Sequence, residues 1–167
     1  MPPRRRAARD APSPPAASLW TTALRLLTRR DYTTTELRTR LLNRGYLAPD
    51  VDAAVARLAG DGTLDDRRVA RLHMRAAREI KGRGRLRIER ELIHRGIAPA
   101  LAHELLADLP AGDDEAQIAR ILARKRVPAR PTLAERRRIF QHLLRRGFPA
   151  DVISRALSTR GDDTPDE

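Results

Sequence analysis

Arginine carries most of the chemistry that this sequence offers. The 167-residue chain has 34 lysines and arginines against 22 aspartates and glutamates, a net charge of +12. All of these basic residues except Lys81 and Lys125 are arginine, whose planar fork matches phosphate and carboxylate oxygens. A GC-rich genome would explain the scarcity of lysine. It would not explain the excess of positive charge, which indicates a polyanionic partner or a partner that carries a polyanion.

Beyond residue 63 the basic residues form three groups. Arginines recur every three or four residues from Arg67 to Arg78, which predicts one stripe along a helix. A second group lies at the following turn and helix start, and a third lies near the C-terminus. Solvated helix faces and a phosphate- or acid-binding surface explain these groups equally well. The predicted binding residues are Arg67, Arg68, Arg71, Arg75, Arg78, Lys81, Arg83, Arg85, Arg87, Arg136, Arg137, Arg138, Arg145 and Arg146.

The sequence lacks the patterns of a catalytic or metal site. It has no cysteine, which excludes disulfide frameworks, zinc thiolates and thiol nucleophiles. The segment Gly82-Arg83-Gly84 lacks the third glycine of a dinucleotide loop. The four histidines form no HExxH pair; His94 and His103 flank a turn, where solvated or packed histidines are the more common case. We therefore predict no catalytic residue, no metal and no cofactor.

The sequence also lacks the patterns of membrane insertion and export. No stretch approaches the roughly 18 apolar residues of a membrane span. Arg4, Arg5 and Arg6 are followed by charged residues and prolines instead of the apolar run of an export signal. We expect a cytoplasmic protein without membrane contact.

Helical periodicity dominates the elements that must position the arginines. Apolar residues recur at intervals of three and four, as in Val69, Leu72, Ala76 and Ile80. Thr33 and Glu36 have the spacing of a capping box at a helix start. No segment alternates polar and apolar residues as a strand does, so we predict an all-α protein.

An internal repeat organises these helices. Arginine-glycine pairs end at Gly45, Gly96 and Gly147, at intervals of 51 residues. A glycine in the left-handed conformation ends a helix, and the large apolar residue that follows it would close over that helix. A proline soon afterwards fits the start of the next helix. With one further helix before each pair, the sequence predicts three tandem three-helix repeats that stack into an elongated, curved array.

The repeat also sets the predicted domain boundaries. The tandem units are predicted at residues 18–62, 63–112 and 113–160. A basic arm rich in proline and arginine is predicted to be disordered at residues 1–17, and an acidic tail is predicted at residues 161–167.

Two modes of nucleic-acid binding fit the composition poorly. Stacking of single-stranded bases needs aromatic platforms, and the chain has only five aromatic residues. A helix-turn-helix reader fits the three-helix units better. However, base readout usually needs side-chain amides, and only Asn43, Gln117 and Gln141 supply them. Contact with the nucleic-acid backbone, or with a protein that coats nucleic acid, fits the composition better than either of these two modes.

The motifs resemble those of the RecX family, the regulators of the RecA recombinase. Their order and spacing cover about residues 19–158, and Val69 stands where the family usually has an aromatic residue. The matching segments are Arg29–Leu37 with Arg44–Tyr46, Leu64–Ala70, Gly84–Leu92 with Arg95–Ile97, and Arg145–Phe148.

The resemblance implies a function without catalysis. A RecX-like protein is expected to bind along the groove of the RecA filament on single-stranded DNA. It would inhibit the ATPase, strand-exchange and co-protease activities of the filament, and so damp recombination and the SOS response. We expect a monomer whose partner is the RecA filament, with direct contact to single- or double-stranded DNA left open. The alternative is a direct DNA-binding protein of the helix-turn-helix type.

Overall fold

The structure, a computed structural model, describes residues 16–158, with side chains from residue 18. The predicted acidic tail and residues 1–15 of the predicted arm lie outside the described residues. The arm was predicted to extend to residue 17, but Ala16 and Ala17 already belong to the first helix.

The fold is all-α over the described residues, which contain nine helices and no strand. None of these helices is both long enough and apolar enough to cross a lipid bilayer. The helices are α1 (Ala16–Leu27), α2 (Thr34–Leu42), α3 (Ala48–Gly60), α4 (Asp66–Glu79), α5 (Arg85–His94), α6 (Pro99–Ala107), α7 (Asp113–Arg124), α8 (Leu133–Arg145) and α9 (Ala150–Ser158).

The helices group into three consecutive triplets, each with its own buried core. The first triplet (α1–α3) packs around residues such as Leu37, Leu41 and Val51. In the second (α4–α6) and third (α7–α9) triplets, Ile88 and Leu143 occupy central buried positions. The chain forms two compact units, one ending at Asp66 and one beginning at Arg67. The second and third triplets therefore share one unit.

The repeated glycines end helices as the sequence predicts. Gly45, Gly96 and Gly147 have φ angles of +86°, +83° and +84°, in the left-handed region. In the third triplet, the Phe148 amide donates to the carbonyl of Leu143, which closes the turn. The Phe148 ring is fully buried, because the turn folds it back onto the helix it follows.

Two helices begin with a capping box. Thr33 and Glu36 form the predicted box at α2, where the Glu36 amide donates to the Thr33 hydroxyl. Thr132 and Glu135 form a second box at α8, which the sequence analysis did not identify although the spacing is the same. Each box satisfies two amide groups that a helix start leaves unpaired.

The second and third triplets meet backbone to backbone. The Gly84 amide donates to the carbonyl of Arg146 at 2.9 Å, and the Leu86 amide donates to the carbonyl of Gly147 at 3.0 Å. A Cβ atom on Gly84 would lie 2.4 Å from the Gly147 oxygen. Glycine is needed at this position because the two backbone segments approach too closely for any side chain.

Gly147 combines this close approach with its left-handed conformation, so its replacement by alanine is expected to be more costly than the same change at Gly45. Both residues have nearly the same φ angle. A Cβ on Gly147 would lie 2.3 Å from the Cβ of Arg87, whereas one on Gly45 meets no atom within 4 Å. We expect Gly147→Ala to destabilise by about 1–3 kcal/mol more than Gly45→Ala, the usual cost of overpacking. Urea unfolding of both variants measures the difference, and equal losses would contradict the contact.

Candidate basic interface

Arg67 and Arg75 on α4 form exposed ion pairs within the protein. The guanidinium of Arg67 donates two hydrogen bonds to Glu104, at 2.8 and 2.9 Å. Arg75 pairs with Glu79 one helical turn later, at 3.2 Å. Exposed pairs of this kind contribute little to stability, but each supplies a carboxylate that an external anion must displace. Arg68 and Arg71 are also exposed on α4.

Arg78 occupies a different environment from the exposed stripe that the sequence predicts. It is only 8% exposed and pairs with Asp113 and Asp114 at the start of α7. Asp114, 1% exposed, also accepts a hydrogen bond from Arg85 at 2.6 Å. Gln117 donates to the backbone oxygen of Arg78 at 2.8 Å. The expectation of an exposed Arg78 was wrong, because α7 covers the end of the stripe.

A second network surrounds Glu91 on α5. Its carboxylate accepts hydrogen bonds from His73 at 3.0 Å, from Arg87 at 3.0 Å and from Arg83. Burial by itself would raise the pKa of Glu91, but these donors outweigh it and hold the pKa below its ordinary value. Arg87 also donates to the backbone oxygen of Arg145. Arg83, Arg85 and Arg87 thus stabilise the unit in addition to any role at a surface.

Arg146 connects the ends of α8 and α4. It donates to the backbone oxygens of Lys81 and Gly82, at 2.8 and 3.0 Å, and to His142 at 3.0 Å. Burial of the imidazole lowers the pKa of His142, and the nearby positive charge of Lys125 lowers it further. His142 is therefore neutral near pH 7 and has a lone pair to accept the Arg146 hydrogen bond.

The remaining predicted residues lie on α8 and in the turn that follows α4. Arg136 donates to the backbone oxygen of Leu157. Arg137, Arg138, Arg145 and Lys81 are exposed. Some of the fourteen predicted residues are therefore buried or half-buried and held by internal partners, whereas others are exposed, and a few of the exposed ones, such as Arg67 and Arg75, also form ion pairs.

Helix α7 and the turn after it carry four exposed cations that the sequence analysis did not single out: Arg120, Arg124, Lys125 and Arg126. Two sequence signals could have identified them, the four-residue spacing of the first two and the run of three basic residues from Arg124 to Arg126. Asp113, Asp114 and Glu115 in the first turn of the same helix obscure the signal, because they reduce its net charge.

Two adjoining depressions bring these cations together with some of the predicted ones. A cleft of about 180 Å³ lies between α7 and the end of α4. A groove of about 560 Å³ lies between α7 and α8. Ile121 and Lys125 line both depressions. The exposed cations around them, here called the basic face, are Lys81, Arg120, Arg124, Lys125, Arg126, Arg138 and Arg145.

The basic face differs in one respect from five arginines of α4 and α5 that pair with carboxylates, Arg67, Arg75, Arg78, Arg85 and Arg87. Among residues 18–158, no carboxylate forms an ion pair with any of its seven cations. Arg138 interacts with Glu135 only at longer range, so the charge of the face is available to an external anion without the loss of an ion pair. This makes it the strongest candidate interface of the second unit.

Arg126 adds backbone strain at this face. Its φ angle is +52°, and it is the only described residue other than glycine with a positive φ. It follows α7 as the repeated glycines follow their helices, and the Val127 amide donates to the carbonyl of Leu122. A left-handed arginine costs about 1 kcal/mol or more relative to glycine. The position thus holds a guanidinium at the groove where glycine would be more stable.

The described residues contain no cluster of three histidines or carboxylates with the geometry of a metal site. His94 and His103, which flank a turn, belong to no such cluster. The Nδ1 atom of His103 instead lies 3.9 Å from the Oε1 atom of Glu89.

Three matches to the RecX family cover most of the chain. Residues 20–58 match the description "RecX, first three-helix domain", residues 65–106 the second such domain and residues 113–157 the third. The Regulatory protein RecX of Trichlorobacter lovleyi is 37% identical over 135 residues, covering 78% of this chain and 88% of that protein. The Halorhodospira halophila protein of the same name is 38% identical over 144 residues, covering 84% and 87%.

A solved structure supports the same fold. The crystal structure of RecX from Lactobacillus salivarius superposes with a TM-score of 0.74 at 18% identity, covering 86% of this chain and 94% of that one. At 18% identity this structural match supports the fold alone. The sequence matches, at 37% and 38% identity, identify the family. The chain belongs to the RecX family of regulatory proteins.

Proposed function

We propose that this protein binds the RecA filament on single-stranded DNA and inhibits its ATPase, strand-exchange and co-protease activities. It thereby damps recombination and the SOS response, acting as a cytoplasmic monomer without catalysis of its own. Membership of a family named for regulation supports this proposal. The observation that carries it is the basic face, seven exposed cations of which none forms an ion pair with a carboxylate among residues 18–158. A filament of protein on DNA offers both phosphates and acidic side chains to such a face.

Direct reading of DNA sequence is the alternative, and the structure offers it little support. Base readout depends largely on side-chain amides among the arginines. Gln117 is buried and donates to the backbone of Arg78, so Asn43 and Gln141 are the exposed amides of the described chain. Contact that does not depend on base sequence fits the available side chains better.

We expect this protein to inhibit RecA-catalysed ATP hydrolysis on single-stranded DNA at less than one copy per RecA. Three consecutive three-helix domains offer more surface than one domain for contact with neighbouring subunits. The measurement is the steady-state ATPase rate as the protein is titrated onto preformed filaments. An unchanged rate at equimolar protein would refute the proposal.

A parallel binding measurement separates the two functions. The electrophoretic shift of duplex DNA without RecA is compared with co-sedimentation of the protein with filaments at the same salt concentration. Preference for filaments supports the regulator, whereas sequence-dependent shifts of bare duplex would support the helix-turn-helix alternative.

A further inference from the structure

The groove between α7 and α8 combines two chemistries. Its floor is apolar and includes Ile121, Val127 and Ile139, which are half-buried, together with Leu122 and Leu143 from the core. Its rim carries exposed cations. The four rim cations are Lys125, Arg126, Arg138 and Arg145.

We propose that this groove binds an acidic amphipathic segment of the recombinase protein, with apolar side chains on the floor and carboxylates at the rim. This inference rests on the proposed function and deepens it. It assigns the contact at the groove to the protein component of the filament, not to its DNA.

The lining of the groove favours a protein segment over a nucleic acid. Phosphates would satisfy the rim, but they would leave the apolar floor exposed to water. None of the residues that line the groove is Phe, Tyr or Trp, and its one ring, the half-buried imidazole of His142, already accepts a hydrogen bond from Arg146. A base would therefore find no large aromatic platform on which to stack. Carboxylates carried on apolar neighbours match both parts of the groove, since burial of apolar surface supplies affinity and the charges supply specificity.

The size and the local backbone are consistent with a short segment. A volume of about 560 Å³ falls within the range of about 300–1,000 Å³ typical of binding pockets, which is enough for a few anchoring side chains. The single acidic residue of the lining, Glu135, is held by the Thr132 capping box. Arg126 is kept at the rim in spite of its strained backbone, as expected of a residue selected for contact.

Site-specific photocrosslinking tests the proposal. p-Benzoylphenylalanine replaces Pro128, an exposed residue of the groove that carries no charge. The matched control replaces Leu133, which is 76% exposed on α8 and lies outside the groove lining. Each protein is irradiated on RecA filaments assembled on single-stranded DNA, after co-sedimentation has measured its binding. The products are identified by mass spectrometry.

We expect the Pro128 probe to give an adduct with a RecA segment in which acidic residues flank apolar ones, and the Leu133 probe not to label that segment. Neutralising the rim with Arg138→Gln and Arg145→Gln should reduce the Pro128 adduct to the Leu133 background. An adduct with DNA, an adduct with this chain's own acidic residues 161–167, or bound protein without any adduct would each overturn the inference while leaving the proposed function intact. Absence of co-sedimentation would overturn both.

Discussion

Replacing Asp114 with alanine is expected to lower the free energy of unfolding by about 3 kcal/mol. Asp114 is 1% exposed and accepts hydrogen bonds from both Arg78 and Arg85. Removing one partner of a buried ion pair typically costs about 3–5 kcal/mol, because the other charge stays buried. The lower end applies here, since Arg78 keeps Asp113 as a second partner. Urea unfolding followed by circular dichroism measures the loss.

Asp151 provides the matched control for this prediction. It is an acidic residue of the third triplet that pairs with Arg155, but both side chains are largely exposed. Asp151 also lies in the first turn of α9, so Asp151→Ala is expected to lower the free energy of unfolding by about 1 kcal/mol or less. If Asp114→Ala behaved in the same way, the Arg78–Asp114–Arg85 network would not hold the second and third triplets together.

Local signals made much of the helical framework predictable from sequence. A left-handed glycine, a threonine three residues before a glutamate and a buried residue after the glycine are each determined by neighbours close in the chain. Gly147 and Phe148 have the predicted conformation and burial for this reason. The capping box of Thr33 forms for the same reason.

The division of the arginines between core and surface could not be predicted in the same way. Helical spacing places Arg71 and Arg78 on one stripe, but it does not show which end of the stripe another helix covers. The partner of Arg78, Asp114, lies 36 residues away. The packing of α7 on α4 gives Arg78 its carboxylate partners, and local spacing does not reveal that packing.

The contact between Gly84 and Gly147 illustrates a further limit. A glycine pair at residues 82 and 84 resembles an incomplete phosphate loop when only local spacing is considered. In the structure Gly84 lies against the backbone of Gly147, where a Cβ would be 2.4 Å from the oxygen. The need for glycine arises from a segment 63 residues away (147 − 84), and the sequence alone does not reveal that requirement.

The structure also changes the choice of residues for testing the basic surface by charge reversal. Arg75, Arg78 and Arg85 are among the binding residues that the sequence predicts. Two of them pair with the buried Asp114, so replacing them with glutamate would place like charges together inside the unit. A loss of binding in that variant would report unfolding, not a lost contact.

Reversing Arg120, Arg124 and Lys125 to glutamate is expected to weaken filament binding by about 100-fold. All three are exposed and have no carboxylate partner among residues 18–158, so the fold should persist. Lost attraction and new repulsion together amount to about 3 kcal/mol, and each 1.4 kcal/mol is a factor of ten. Binding should also depend less steeply on salt than in the wild type, because fewer counterions are displaced on contact. The measurement is filament affinity over a series of salt concentrations.

A control variant with the same net charge distinguishes a specific contact of the basic face from an effect of overall charge. Reversing Arg29, Arg40 and Arg44, which are exposed in the first unit, also changes three positive charges to negative and takes the formal charge from +12 to +6 (12 − 3 × 2). If the basic face makes the contact, the control should lose much less affinity than the α7 variant and should keep the wild-type salt dependence. Equal losses in both variants would show that the filament responds to overall charge, and the basic face would then have no special role in binding.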